Sequence, residues 1–124
     1  MTIRELYQNI GGDYDQAIRI LRVDKLIDKH IRKFTDNGVM DRLATAAESM
    51  DATELFEASH AAKGVCANLG LVKLSEEVSV ISEEFRPGKS RKFSDEEVKA
   101  RLKSIWEMYS HVAEEIRLYE ESCE

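Results

Sequence analysis

The chain has 124 residues, 43% of them apolar and 34% charged, with one Pro, six Gly, two Cys and a net charge of −6. That length gives one domain able to bury a core without disulfide or metal staples, and the composition is that of a helix-rich soluble protein rather than a disordered or all-β one. The acid excess excludes a general nucleic-acid binder, which concentrates basic residues on one face; the basic clusters at Lys29, Arg32 and Lys33 and at Arg86, Lys89, Arg91 and Lys92 are small and read as solvated surface.

"TIRELYQNI" opens on a Thr-x-x-Glu capping box and stops at Gly11-Gly12. "DYDQAIRIL" is a second short helix. From Asp24, the residues Leu26, Ile27, Ile31 and Phe34 mark an apolar stripe that ends at Asn37-Gly38. Met40, Leu43, Ala47 and Met50 form the next stripe. Asp51 is a candidate N-cap for a helix that runs to Leu69, where Gly70 supplies a left-handed C-terminal cap. Leu74, Val78, Ile81 and Phe85 follow, and Pro87-Gly88 ends that stripe. Ser94 with Glu97 opens the longest helix, in which Val98, Leu102, Ile105, Tyr109, Val112, Ile116 and Tyr119 repeat in steps of four and three, the pattern of bundle packing.

These signals place helices at about 2–9, 14–21, 24–36, 39–50, 52–69, 72–86 and 95–121, in one domain spanning 1–124. No segment alternates with period two, and there is no βαβ rhythm. The expected fold is all-α: an antiparallel up-down four-helix bundle made by the last four helices, with additional short N-terminal helices covering one end or side. No apolar run approaches the ~20 residues of a membrane span, and the N-terminus lacks the apolar core of a signal peptide. Cys66 and Cys123 suggest neither a disulfide nor a zinc framework, so a reduced, cytoplasmic compartment is expected.

The fifth helix holds the unusual residues. At about 100° per residue, Leu55, Ala58, Ala62, Val65 and Leu69 share one arc with Cys66 on its edge, and this arc is the expected core face. His60 falls on the opposite side. Its neighbours there are Phe56, Lys63, Gly64 and Ala67, because residues three and four apart are adjacent on a helix. A solvent face normally carries charge, yet here a histidine sits among an aromatic, an alanine and a glycine. Gly64 costs roughly 1 kcal/mol relative to alanine in mid-helix, so something should offset it.

His60-Ala61-Ala62-Lys63-Gly64, followed six residues later by Gly70, resembles the His-x-x-Lys-Gly-x(5)-Gly signature of histidine-containing phosphotransfer (HPt) domains. The resemblance extends over most of the chain, because such domains are all-α bundles with the signature on a central helix. Ala62 stands where family members usually carry a larger apolar residue, often Leu, a departure that concerns core packing and leaves the motif's chemistry in place.

The resemblance implies that His60 carries a phosphoryl group in relay with aspartates of response-regulator receiver domains. An imidazole in water is substantially neutral and nucleophilic near neutral pH. Phosphoryl transfer needs in-line positioning and stabilisation of charge on the equatorial oxygens. Lys63, one turn along, is placed to offer its ammonium to those oxygens, and Gly64 leaves room for them and for the partner's backbone. Gly64, Ala67 and Phe56 would then belong to the receiver-docking face. The expected partners are a response-regulator receiver domain, a hybrid sensor histidine kinase, or both. The chain is expected to be a free-standing monomeric phosphocarrier with no kinase activity, no cofactor and no membrane or nucleic-acid partner, the Mg²⁺ coming with the receiver.

Plainer readings stand beside this one. Lys63 can be an ordinary solvated lysine, Gly64 can permit close helix packing, and Phe56 either packs against the N-terminal helices or anchors a docked receiver. Trp106, Tyr109 and Tyr119 are expected in the core. His30 and His111 share no metal-ligand spacing with His60, and the interior stripes carry no Glu-x-x-His, so no metal site is expected. The alternative function is a non-catalytic helical adaptor that binds a signalling partner without phosphate chemistry.

Overall fold

The computed structural model describes residues 1–123. Among them the chain forms seven α-helices and no strand: α1 (Ile3–Asn9), α2 (Tyr14–Leu21), α3 (Asp24–Lys33), α4 (Val39–Ser49), α5 (Ala52–Asn68), α6 (Val72–Glu84) and α7 (Asp95–Ser122). No helix of the described residues is long and apolar enough to cross a membrane.

Local chemistry sets most of the helix ends. The Thr2 hydroxyl accepts from Glu5 N at 3.1 Å while the Glu5 carboxylate accepts from Thr2 N at 3.2 Å, closing the capping box of α1. Asp13, Asp51 and Ser94 cap α2, α5 and α7 by accepting from Gln16 N, Glu54 N and Glu97 N. Each such cap contributes about 1 kcal/mol by satisfying an otherwise orphaned amide. At α7 only half of a box forms, since Glu97 turns its carboxylate to Arg101 Nε at 3.1 Å. Helix α3 stops short of the expected 36, because Phe34 N and Asp36 N reach back only three residues, to Ile31 O and Lys33 O, and the chain tightens out of α geometry.

Packing follows the stripes. Helix α4 lies on α5, α5 on α6, α6 on α7, and α7 returns to α4, while α1 and α3 also meet α7 and α2 bridges α3 and α5. All seven apolar positions expected on α7 are buried. So are Leu74, Val78, Ile81 and Phe85 on α6.

Three expectations about burial fail. Leu26 and Trp106 are each 40% exposed rather than core. On α5 the buried arc is turned toward Cys66 and Ser59, both fully buried, and Val65 is left half-buried. The turn has a cause: α5 makes its most extensive packing with α6, and Ala58, Ser59, Ala62 and Cys66 are small enough to let that helix approach. Burial pushes the Cys66 thiol up to about 12, so it behaves as a small core residue rather than a nucleophile.

The long connection between α6 and α7 is tied down by a buried carboxylate. Glu84, 4% exposed, accepts from Arg91 Nε at 2.8 Å, Phe93 N at 2.8 Å and Lys92 N at 3.1 Å. Burial alone would raise its pKa, but the Arg91 guanidinium and the two backbone amides outweigh that and hold it below the usual carboxylate range.

Candidate functional site

Helix α5 runs seventeen residues, and its exposed face carries the histidine at mid-length. His60 is exposed, Gly64 is exposed, and Phe56, Lys63 and Ala67 are half-buried beside them. The structure therefore brings all five sequence-predicted residues to one face of one helix. The Phe56 and His60 rings stack, with centroids 5.6 Å apart and planes 21° from parallel. This offset stack is worth about 1 kcal/mol at most, enough to bias the imidazole toward one rotamer. Phe56 also touches the apolar core. Its aromatic face thus supports the histidine from below.

Among the described residues no protein group hydrogen-bonds a His60 ring nitrogen, and Lys63 makes no ion pair. Both polar ends are left to solvent or to a visitor. The glycine beside them is open as well: a β-carbon built on Gly64 meets nothing within 4 Å. Close helix packing therefore does not explain Gly64. Gly64→Ala is expected to raise stability by up to about 1 kcal/mol, or roughly 4 °C in Tm, because alanine is the better helix former and no neighbour resists the methyl. A melt that drops instead would show that this face is covered.

What holds the α5 face in place lies far away in sequence. The last carbonyls of α5 lack intrahelical partners, and the N-terminal elements supply them. Gln16 Nε2 donates to Ala67 O at 2.9 Å, the buried Tyr7 hydroxyl donates to Leu69 O at 2.7 Å, and Asp13 N donates to Gly70 O at 2.7 Å. Burial pushes the Tyr7 hydroxyl above its ordinary pKa, so it remains a donor. Gly70 has φ +70° and Leu71 N reaches back to Cys66 O at 2.9 Å, a Schellman-type end. At the other end Arg42 of α4 donates to Glu54 at 2.6 Å and to Glu57 at 3.3 Å, exposed ion pairs that set a charged border beside His60.

No known family model, curated protein or solved structure matches this chain.

The other two histidines sit elsewhere. His111 places Nε2 3.1 Å from Asn9 O, joining α7 to α1. His30 lies on α3, lining a groove with Lys33 and Asn37. Among the described residues no group of three or more His, Cys, Asp or Glu side chains converges as a metal site would. Sequence reasoning missed Tyr7 and Gln16 as supports of α5, since residues 62 and 51 positions from their acceptors leave no local pattern. It also missed the Phe56–His60 stack. The signal for that was present in their spacing of four, which puts two flat rings one turn apart.

Proposed function

We propose that this chain is a histidine phosphotransfer protein of a two-component phosphorelay, with α4 to α7 as an HPt-type four-helix bundle and His60 as its phosphoryl carrier. One observation carries the reading. An exposed, hydrogen-bond-free histidine stands at the middle of α5, with an unpaired lysine one turn on and open space over the glycine that follows the lysine. An inert surface histidine has no need of that clearance, and an adaptor has no need of that lysine.

The step is a single displacement. The Nε2 lone pair of neutral His60 attacks the phosphorus of a receiver's aspartyl phosphate, the N–P bond forms, the P–O bond breaks, and the aspartate leaves as carboxylate. The Nδ1 proton stays on the ring or passes to water. Charge spread over the equatorial oxygens in the transition state would meet the Lys63 ammonium, and Phe56 would hold the attacking ring in line. Gly64 and Ala67 form the smooth surface over which the partner approaches. No kinase activity belongs to the chain. The Mg²⁺ used in transfer comes with the receiver, and the reading places the protein in the cytoplasm as a monomer.

The test is transfer of labelled phosphate from a phosphorylated receiver to this protein. Within it, Lys63→Ala is expected to slow the transfer step at least tenfold while leaving receiver affinity within about threefold, the sign of an interaction made mainly in the transition state. Stability should change by less than about 0.5 kcal/mol, as for an ordinary surface substitution. Single-turnover rates at saturating receiver separate the two effects, and a rate within twofold of wild type would reduce Lys63 to a solvated side chain.

A further inference from the structure

Three of the large apolar side chains that the fold leaves exposed fall within seven residues of one another: Ile20 at 44%, Val23 at 50% and Leu26 at 40%. They sit at the corner where α2 turns into α3, and between them Arg22 holds φ +76°, a conformation that non-glycine residues rarely adopt. The same stretch is locally basic in an acidic protein. Residues 16–33 carry six Lys or Arg against two Asp, in a chain of net charge −6. Both aspartates are already engaged, Asp24 with the Tyr14 hydroxyl and Asp28 with Arg32 at 3.0 Å. Arg19, Arg22, Lys25 and Lys29 make no ion pair among the described residues.

The corner is also continuous with the α5 face. Ile20 lies one turn on from Gln16 on the surface of α2 and precedes Leu21 in the chain, and both of those residues meet α5. Gln16 does so through Ala67 O, and Leu21 through a groove of about 410 Å³ that it lines with Val65 and Asn68.

We infer that the α2–α3 corner is the approach surface for the acidic face of the partner receiver, with Ile20 as apolar anchor and Arg22 and Lys25 steering the encounter. The inference rests on the phosphotransfer reading. A phosphorylated receiver presents an aspartyl phosphate and the carboxylates that hold its Mg²⁺, so its reactive face is negative. The bulk of this chain is negative too and would repel it. A local basic patch on the elements packed against the C-terminal end of the His60 helix reverses that field near where contact must occur. The uncovered apolar side chains then supply the short-range contact that long-range attraction does not. An anionic membrane would also match a basic, apolar corner, but continuity with the His60 face favours the protein partner.

Association with a phosphorylated receiver is measured by surface plasmon resonance across a salt series, with label transfer followed in parallel. Arg22→Glu combined with Lys25→Glu should slow association about tenfold at low salt, and the gap should close near 0.5 M NaCl as screening removes the field. Ile20→Ser should speed dissociation about tenfold. Lys99→Glu combined with Lys103→Glu makes the same change in net charge on exposed positions of α7 and should leave association within twofold. Equal slowing by the two double variants would mean that net charge alone matters and would overturn the assignment. So would flotation of wild type, but not of the corner variant, with vesicles containing 30% phosphatidylserine while receiver association stays unchanged, since that makes the corner a lipid site. Label reaching His60 normally in the corner variants removes this inference alone. A wild-type protein that accepts no label from any phosphorylated receiver removes the phosphotransfer reading and this inference with it.

Discussion

His60→Gln is expected to abolish phosphate uptake from a phosphorylated receiver while leaving the fold intact. Glutamine keeps a similar reach and polarity at an exposed position, so the change in stability should stay within about 0.5 kcal/mol, plus at most about 1 kcal/mol for the lost stack on Phe56. It has no imidazole nitrogen to form an N–P bond, and the loss should therefore be complete rather than partial. Wild-type protein should hold a phosphate that is stable in base and labile in acid, the behaviour of a phosphoramidate rather than of a phosphate ester. The helical CD spectrum should be the same for both proteins. The alternatives within the chain are few. His111 has its Nε2 engaged with Asn9 O, and His30 lies on α3, where it lines a groove with Val65 and Asn68 of α5. Label that persists in the His60→Gln protein would move the nucleophile to one of these and refute the role assigned to α5.

Helix caps and stripes are local, and local signals were readable from the residues alone. Thr2, Asp13, Asp51 and Ser94 each cap the helix that follows them, and the α7 heptad-like positions are all buried. What the residues could not report is which side of a stripe a neighbour chooses. Val65 and Cys66 are 100° apart on α5, and only the approach of α6 decides that Cys66 is buried and Val65 half-exposed. Trp106 fails for a related reason: it flanks the α7 stripe, and the groove it borders with α4 is not filled. The candidate site was legible because its motif is packed into five consecutive residues and one helix face. Its support was not legible, since Tyr7, Asp13 and Gln16 reach the end of α5 only through tertiary contact. Of the additional N-terminal helices, expected to cover one end or side, α1 and α2 with the loop between them cap the end of the helix that carries His60.

That role makes Gly70 the most sensitive glycine, and Gly70→Ala is expected to destabilise the protein by about 3 kcal/mol or more. Two costs add. Gly70 holds φ +70°, where an L side chain costs about 1–2 kcal/mol. A β-carbon there would also lie 2.2 Å from Asp13 O and 3.2 Å from Asp13 C, both rigid backbone atoms. Relief requires the α1–α2 loop to withdraw, which breaks the 2.7 Å bond from Asp13 N to Gly70 O and loosens the Gln16 and Tyr7 contacts beside it. Hydrogen bonds of this kind contribute about 1 kcal/mol each. Tm should fall by roughly 10 °C or more, and limited proteolysis should cut first within the α1–α2 segment. The comparison that isolates the mechanism is Gly64→Ala, the same substitution within the helix that Gly70 terminates, where the β-carbon meets nothing and the backbone is helical. One glycine should gain stability from the methyl and the other should lose it. If both variants melt within about 2 °C of wild type, the N-terminal loop is not seated on the end of α5, and the account of how the His60 helix is held must be abandoned.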